Sequence, residues 1–176
     1  LLARSSIPLQ VGYTPIEVSI LVPWYKDAIF ATQDIRNVGV SVHTDLPGEV
    51  LEKSVLAADI HSDGKVLAGP VRVSKVTKDT RVSIPAADLP VGDHRVRATL
   101  LDQNGQELHR GETRLRKLAP HEGEVRFDRN MACLTDGEPF LPFGLMGFEF
   151  YNLGHFAEAG YNILGGYGPT CEGRPD

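Results

Sequence analysis

The chain reads as mainly β, and three observations say so. Apolar residues recur at every second position through most of Ile16–Phe127, turn dipeptides break the pattern at short intervals, and no long helical pattern interrupts it. Ile16-Glu17-Val18-Ser19-Ile20 alternates as a half-buried strand should, and Val38, Val40 and Val42 repeat the pattern with Gly39, Ser41 and His43 on the other face. Ile60–Leu67 carries an Asp63-Gly64 turn between two strand ends, while Val71–Ser74 and Arg81–Ile84 alternate again. Leu100–Leu108 carries Asn104-Gly105, whose preference for positive φ suits a two-residue type I′ hairpin. Such a loop sets Gln103 against Gln106 and hence Arg97 against Glu112, an opposite-charge pair worth about 0.2–1 kcal/mol to the register.

About seven or eight short strands with turns between them fit an immunoglobulin-like β-sandwich. Five arginines lie in Arg95–Arg116, but Asp102, Glu107 and Glu112 are interleaved with them, so the pattern reads as a solvated sheet face rather than a polyanion site. No Phe, Tyr or Trp occurs between Phe30 and Phe127. Sugar rings are commonly held by stacking on aromatic faces, so this region is poorly equipped as a carbohydrate-binding module. The exception is Val22–Phe30, where Trp24 could serve as a stacking platform but more readily seals one end of a sandwich or a seam between domains.

Composition changes near residue 118. Leu118-Ala119-Pro120-His121-Glu122-Gly123-Glu124 has proline, glycine and charge without periodicity, as a linker does. Nine of the thirteen aromatic residues then fall between Phe127 and Tyr167. Val125–Asp128 and Ala132–Thr135 read as two short strands leading to an Asp136-Gly137 turn. Pro139 and Pro142 cannot donate within a central ladder, which sets a first buried strand at Phe143–Phe148. Leu153, Phe156 and Ala157 share one helix face, Gly160 stands where a helix-ending glycine belongs, and Asn162-Ile163-Leu164 begins a second strand.

The wording Asp136-Gly137-Glu138-Pro139-Phe140-Leu141-Pro142-Phe143-Gly144, followed by Ala159-Gly160-Tyr161-Asn162, resembles the start of the (β/α)8 TIM barrel of glycoside hydrolases of the β-galactosidase and β-glucuronidase type. Val22–Phe30, Leu89-Pro90-Val91-Gly92-Asp93 and Lys117-Leu118-Ala119-Pro120 resemble the sandwich domain that precedes such barrels. The likeness extends over about residues 15–168, and its specific part is 137–164. It implies a sandwich accessory domain at 1–118, a linker and barrel-bottom hairpin at 119–136, and at 137–176 the first βα unit and second strand of a truncated barrel. A complete barrel takes roughly 250 residues. The implied function is the N-terminal part of a carbohydrate-active enzyme that hydrolyses O-glycosidic bonds through paired carboxylates. Those carboxylates sit on later barrel strands, so no catalytic residue is expected within the chain.

The residues themselves offer little chemistry. Glu149, directly after the first barrel strand, and Tyr167, in the glycine-rich Gly165-Gly166-Tyr167-Gly168 loop, are the candidate substrate-binding residues, because barrel loops build their sites at that face. Glu149 reads more readily as a solvated carboxylate in a loop or near a helix start, and Glu158 as a solvated helix residue. The glycine-rich loop lacks the lysine and hydroxyl residue of a phosphate loop, and no G-x-S-x-G is present. The six histidines are dispersed and the two cysteines, Cys133 and Cys171, have no zinc-ligand spacing, so neither a metal nor a cofactor is expected. Two separate thiols are a simpler reading than a disulfide between them.

With 176 residues, 41% of them hydrophobic and 23% charged, the composition is that of an ordinary globular protein. A net charge of −5 argues against nucleic acid as a partner, and no apolar run approaches the roughly 20 residues of a membrane helix. The chain opens on Leu1, which leaves open a removed leader, and with it a secreted or periplasmic protein, or a start within a longer polypeptide. The expected partners are a carbohydrate substrate held by the complete barrel, and the remainder of that barrel, or another chain, covering 137–164. A reading from another class remains beside this one: a non-catalytic sandwich module that binds a glycan or a protein and whose last hairpin and helix complete its own fold.

Overall fold

Alternation of apolar and polar residues is realised as strands throughout. The computed structural model describes residues 13–146 and 153–165, is mainly β, and divides into two compact units, Leu1–Glu124 and Val125–Asp176. In the first unit the strands are β1 (Ile16–Val22), β2 (Ala28–Ile29), β3 (Asn37–Thr44), β4 (Val55–Ser62), β5 (Lys65–Val73), β6 (Asp79–Pro85), β7 (Gly92–Leu101) and β8 (Glu107–Lys117), with a single helical turn, α1 (Gly48–Leu51), between β3 and β4. A three-stranded sheet runs β1-β3-β6 and a five-stranded sheet β2-β8-β7-β4-β5. Neighbours are antiparallel except β2, which lies parallel to β8.

The two sheets feed one hydrophobic cluster. Val38, Val40 and Val42 of β3, with Val82 and Ile84 of β6, come from the smaller sheet; Leu56, Ala58 and Ile60 of β4, Val96, Ala98 and Leu100 of β7, and Leu115 of β8 come from the larger. Each large aliphatic side chain buried this way contributes about 1.5–3 kcal/mol. Where β8 passes β1, a side chain would not fit: a Cβ on Gly111 would stand 2.9 Å from the Ile16 carbonyl oxygen.

Turn chemistry sets the register, and one turn differs from expectation. Asp63 and Gly64 both take positive φ, as a type I′ turn requires, and join Ser62 to its partner Lys65. At Asn104-Gly105 only Gly105 is at positive φ. The loop closes instead around Asp102, whose Oδ1 accepts the N–H groups of Asn104 and Gln106 at 2.8 Å each, while the Asp102 N–H donates to the Gln106 carbonyl at 2.9 Å. The Asp side chain thus organises a longer loop than the expected two-residue one. A register shift between Leu100 and Leu101 then absorbs the extra residue, so Arg97 still faces Glu112. The Gln106 N–H, and the other donors of the loop, hold the Asp102 carboxyl below its ordinary range. Its contribution to stability is therefore present above the unfolded value and lost as pH falls through the lowered folded one.

The segment after β8 is anchored rather than loose. Glu124, in the stretch with linker composition, is only 1% exposed. Its carboxylate accepts the backbone N–H of Ala31 at 2.9 Å and of Thr32 at 3.4 Å, and the Thr32 hydroxyl donates to it as well. Leu118 N–H donates to the Ile29 carbonyl, so β8 and its exit are tied to the chain around β2. A buried carboxylate is tolerable only with such donors. Glu124→Ala leaves them unsatisfied, and we expect it to lower unfolding free energy by about 1–3 kcal/mol. Urea denaturation of the 176-residue chain checks this, an unchanged midpoint being the contrary result.

In the second unit β9 (Val125–Phe127), β10 (Cys133–Thr135) and β11 (Glu138–Pro139) form a small antiparallel sheet. Asp136 and Gly137, both at positive φ, make its second turn. Beyond it β12 (Gly144–Met146) and β13 (Ile163–Gly165) pair in parallel, separated in sequence by α2 (Leu153–Glu158). The described part of the first expected strand is thus Gly144–Met146, and 147–150 lie outside the described residues. α2 ends as the glycine signalled: Gly160 is at φ 87°, its N–H donates to Ala157, and the Tyr161 N–H donates to Phe156. That double closure is the Schellman arrangement, and the Tyr161 and Phe156 rings meet edge to face at 6.0 Å across it. Phe156 is half-buried but Ala157 is exposed.

Asn162 fixes the approach of β12 to β13. Its Oδ1 accepts the Phe143 N–H at 2.7 Å and its Nδ2 donates to the Leu141 carbonyl at 2.9 Å. Gly144 lies so close to the Ile163 backbone that any Cβ would collide with it.

Candidate functional site

The larger sheet carries a polar constellation on the face turned away from its core. Alternation puts Asp59 and His61 of β4, Asp93, Arg95 and Arg97 of β7, and Glu112 and Arg114 of β8 on that face, and the ladders align them in rows. One row reads Asp59–Arg97–Glu112 and the next His61–Arg95–Arg114.

The first row is balanced. Asp59, only 5% exposed, accepts from Arg97 Nη2 at 3.0 Å and from Arg97 Nε at 3.2 Å. β4 lies inside the sheet, between β7 and β5, and a carboxylate so buried cannot rely on water, so its guanidinium partner is obligatory. On the far side Glu112 faces Arg97 in register. We expect Arg97→Ala to cost about 3 kcal/mol or more, because it strands a buried charge, and Asp59→Ala in the same background to restore part of the loss. Thermal unfolding of the two single variants and the double variant checks this; strict additivity would deny the pair its role.

The second row has no acid of its own. Arg95 and Arg114 stand directly opposite one another, an arrangement that destabilises a sheet. Arg114 leans aside to Asp93, its Nη2 2.8 Å from Oδ1, and this contact holds the Asp93 carboxyl below its ordinary range. Among the described residues, the acid that Arg95 reaches is Glu112, at 4.0 Å. The His61 ring is largely buried. Its Nδ1 lies 3.3 Å from Asp59 Oδ1 and its Nε2 3.7 Å from Glu112 Oε1. Proximity and bonding disagree here: Nδ1 makes no hydrogen bond despite the short distance. A contact without alignment gains little. A depression of about 640 Å³ opens over these residues, lined by His61, Ser62, Asp93, Arg95, Arg97 and Arg114 among others.

The residues expected from sequence to contact substrate, Glu149 and Tyr167, lie outside the described residues. Glu158 is exposed on α2. Trp24 keeps 40% of its surface exposed, and its neighbour Tyr25 stacks on Phe30 with ring centroids 5.8 Å apart. Cys133 is a half-buried free thiol on β10, and Cys171 lies outside the described residues. Among the described residues no group of three or more His, Cys, Asp or Glu side chains is arranged to hold a metal ion, and no helix is long and apolar enough to cross a membrane. Sequence reasoning placed Arg95, Arg97 and Arg114 on one face but missed Asp59 and His61, whose strand joins β7 across 38 residues. No local signal announces that pairing.

No family model and no curated protein matches this chain. Among solved structures it is similar to tripeptidyl peptidase 2 at a TM-score of 0.29 and 17% identity, over 66% of this chain and 10% of that one. The chain thus spans about a tenth of that protein's length, and a likeness so distant carries no argument about activity.

Proposed function

We propose that the chain is the N-terminal part of a carbohydrate-active glycoside hydrolase: an immunoglobulin-like sandwich followed by the start of a (β/α)8 barrel. The observation that carries this reading is the parallel pair β12–β13, joined through α2 and preceded by the small β9–β10–β11 sheet. Parallel strands require a crossover, and a helix is the usual one. A barrel repeats this unit eight times. The resemblance of Asp136–Gly144 and Ala159–Asn162 to glycoside hydrolase barrels supplies the chemistry, which the pair alone does not. The paired carboxylates, acid and nucleophile or acid and base, would stand on later strands, with Glu149 and Tyr167 at the substrate-side rim.

The polypeptide ending at Asp176 should accordingly hydrolyse no aryl glycoside. The coding sequence beyond it should carry further βα units, and the longer product should be active. Turnover by the 176-residue chain, abolished by Glu149→Gln, would overturn this assignment. A stop codon or an unrelated module after Asp176 would favour the non-catalytic sandwich module instead.

The same reading makes the remainder of the barrel, or another chain, the partner of 137–164. Leu141 is 81%, Phe143 52% and Ile163 45% exposed, and covering each would gain about 1.5–3 kcal/mol. In the isolated chain, hydrogen exchange should be slow at Val96–Leu100, in the middle of the larger sheet, and fast at Gly144–Met146 and Ile163–Gly165. Equal protection of both regions in a monomer would mean that the second unit needs no cover.

A further inference from the structure

We propose that the depression over His61, Arg95 and Arg114 binds a small oxyanion carried on a hydroxylated ligand, the carboxylate of a sugar acid or the sulfate ester of a sulfated sugar. Arg95 and Arg114 are direct cross-strand partners on β7 and β8, and both line the depression. Like charges so placed repel unless an anion lies between them, and the acid each one meets is either exposed, as Asp93 is, or at the limit of ion-pair distance, as Glu112 is. Arg114 and Asp93 form an exposed pair, with side chains 65% and 66% exposed, of a kind that contributes little. Arg95 reaches no nearer than 4.0 Å to Glu112. The neighbouring row differs in burial: Arg114 also meets its acid through Nε and Nη2, but Asp93 is exposed, whereas Arg97 is committed to the buried Asp59.

An oxyanion between Arg95 and Arg114 would meet two planar forks of donors, the geometry that favours carboxylate and sulfate. Beside it stands the His61 ring, its Nδ1 3.3 Å from Asp59 Oδ1 and its Nε2 3.7 Å from Glu112 Oε1. The Ser62 hydroxyl, which donates to the Asp93 carbonyl at 3.1 Å, borders the same depression and can accept from a ligand hydroxyl. No Phe, Tyr or Trp stands among the described residues that line it, so a neutral sugar would find no broad stacking surface and recognition would rest on charge. The volume of about 640 Å³ lies within the range of small-molecule sites. All of these residues belong to the first unit, so the site does not depend on a catalytic barrel, and its failure would leave the hydrolase reading untouched.

The test is titration of the 176-residue chain with galacturonate, galactose 6-sulfate and neutral galactose, followed through the arginine Nε–H resonances. Saturable shifts at Arg95 and Arg114 with the charged sugars, and none with galactose, are expected. Saturation by galacturonate alone assigns a carboxylate site, and by galactose 6-sulfate alone a sulfate site. Arg95→Gln should weaken binding about tenfold, the value of one charge-assisted contact. Asp93→Asn, which frees Arg114 from its internal acid, should tighten it. Both positions are exposed, so the folded state survives either change. Binding that is indifferent to both variants, galactose shifts equal to those of the acids, or no saturable shift at all would each overturn the proposal.

Discussion

Strands in the larger sheet must keep one face dry, and most of what distinguishes this chain follows from that constraint. Leu56, Ala58 and Ile60 on β4, and Val96, Ala98 and Leu100 on β7, are fully buried on the inner side. Because side chains alternate, the residues between them are committed to the other side. Asp59, His61, Arg95 and Arg97 therefore form rows whose spacing is that of the sheet itself. A one-residue slip would drive those charges into the core, so the hydrophobic pattern and the polar constellation hold each other in register. The Asp59–Arg97 bond adds a directional check, because only the native pairing brings the two groups together without water.

The same sheet shows how a balanced and an unbalanced row behave differently within one strand spacing. Where acid, base and acid alternate across β4, β7 and β8, side chains close on one another and the Asp59 carboxylate can be buried. Where two arginines meet, one turns aside to Asp93 and the other extends outward, and the surface opens into a depression.

Legibility in the sequence followed the range of the interaction. Val38–Val42, Ile16–Ile20 and the Asp63-Gly64 turn were readable because alternation and turn chemistry act over a few residues. Arg97 opposite Glu112 was also readable, although through a loop that the chain does not use: Asp102 captures two N–H groups, and a slip at Leu100–Leu101 returns the strands to the same pairing. Asp59 and Glu124 were not readable. Each is a carboxylate in a locally polar setting, and each is buried by partners far away in sequence, at Arg97 and at Ala31–Thr32. Composition describes what a segment could tolerate, whereas these burials depend on which distant donors the topology delivers. In the second unit, Gly160 and Asn162 were legible as a helix stop and a strand start, but not Asn162 as a clamp, since that requires Leu141 and Phe143 to be alongside.

One edge of the larger sheet is β5, the last strand in its order. Sheet edges are templates onto which a second chain can add. β5 carries Gly69 at φ 87° followed by Pro70, and its pairing with β4 is irregular between Ala58 and His61. Gly69 comes so near the β4 backbone that a Cβ would stand 2.8 Å from the Ala58 carbonyl oxygen. Pro70 has no N–H to offer an incoming strand, and the irregularity bends the rim out of the straight line that a fibril would copy. At high protein concentration this rim discourages end-on stacking into filaments, and an engineer straightening β5 for stability would remove that safeguard.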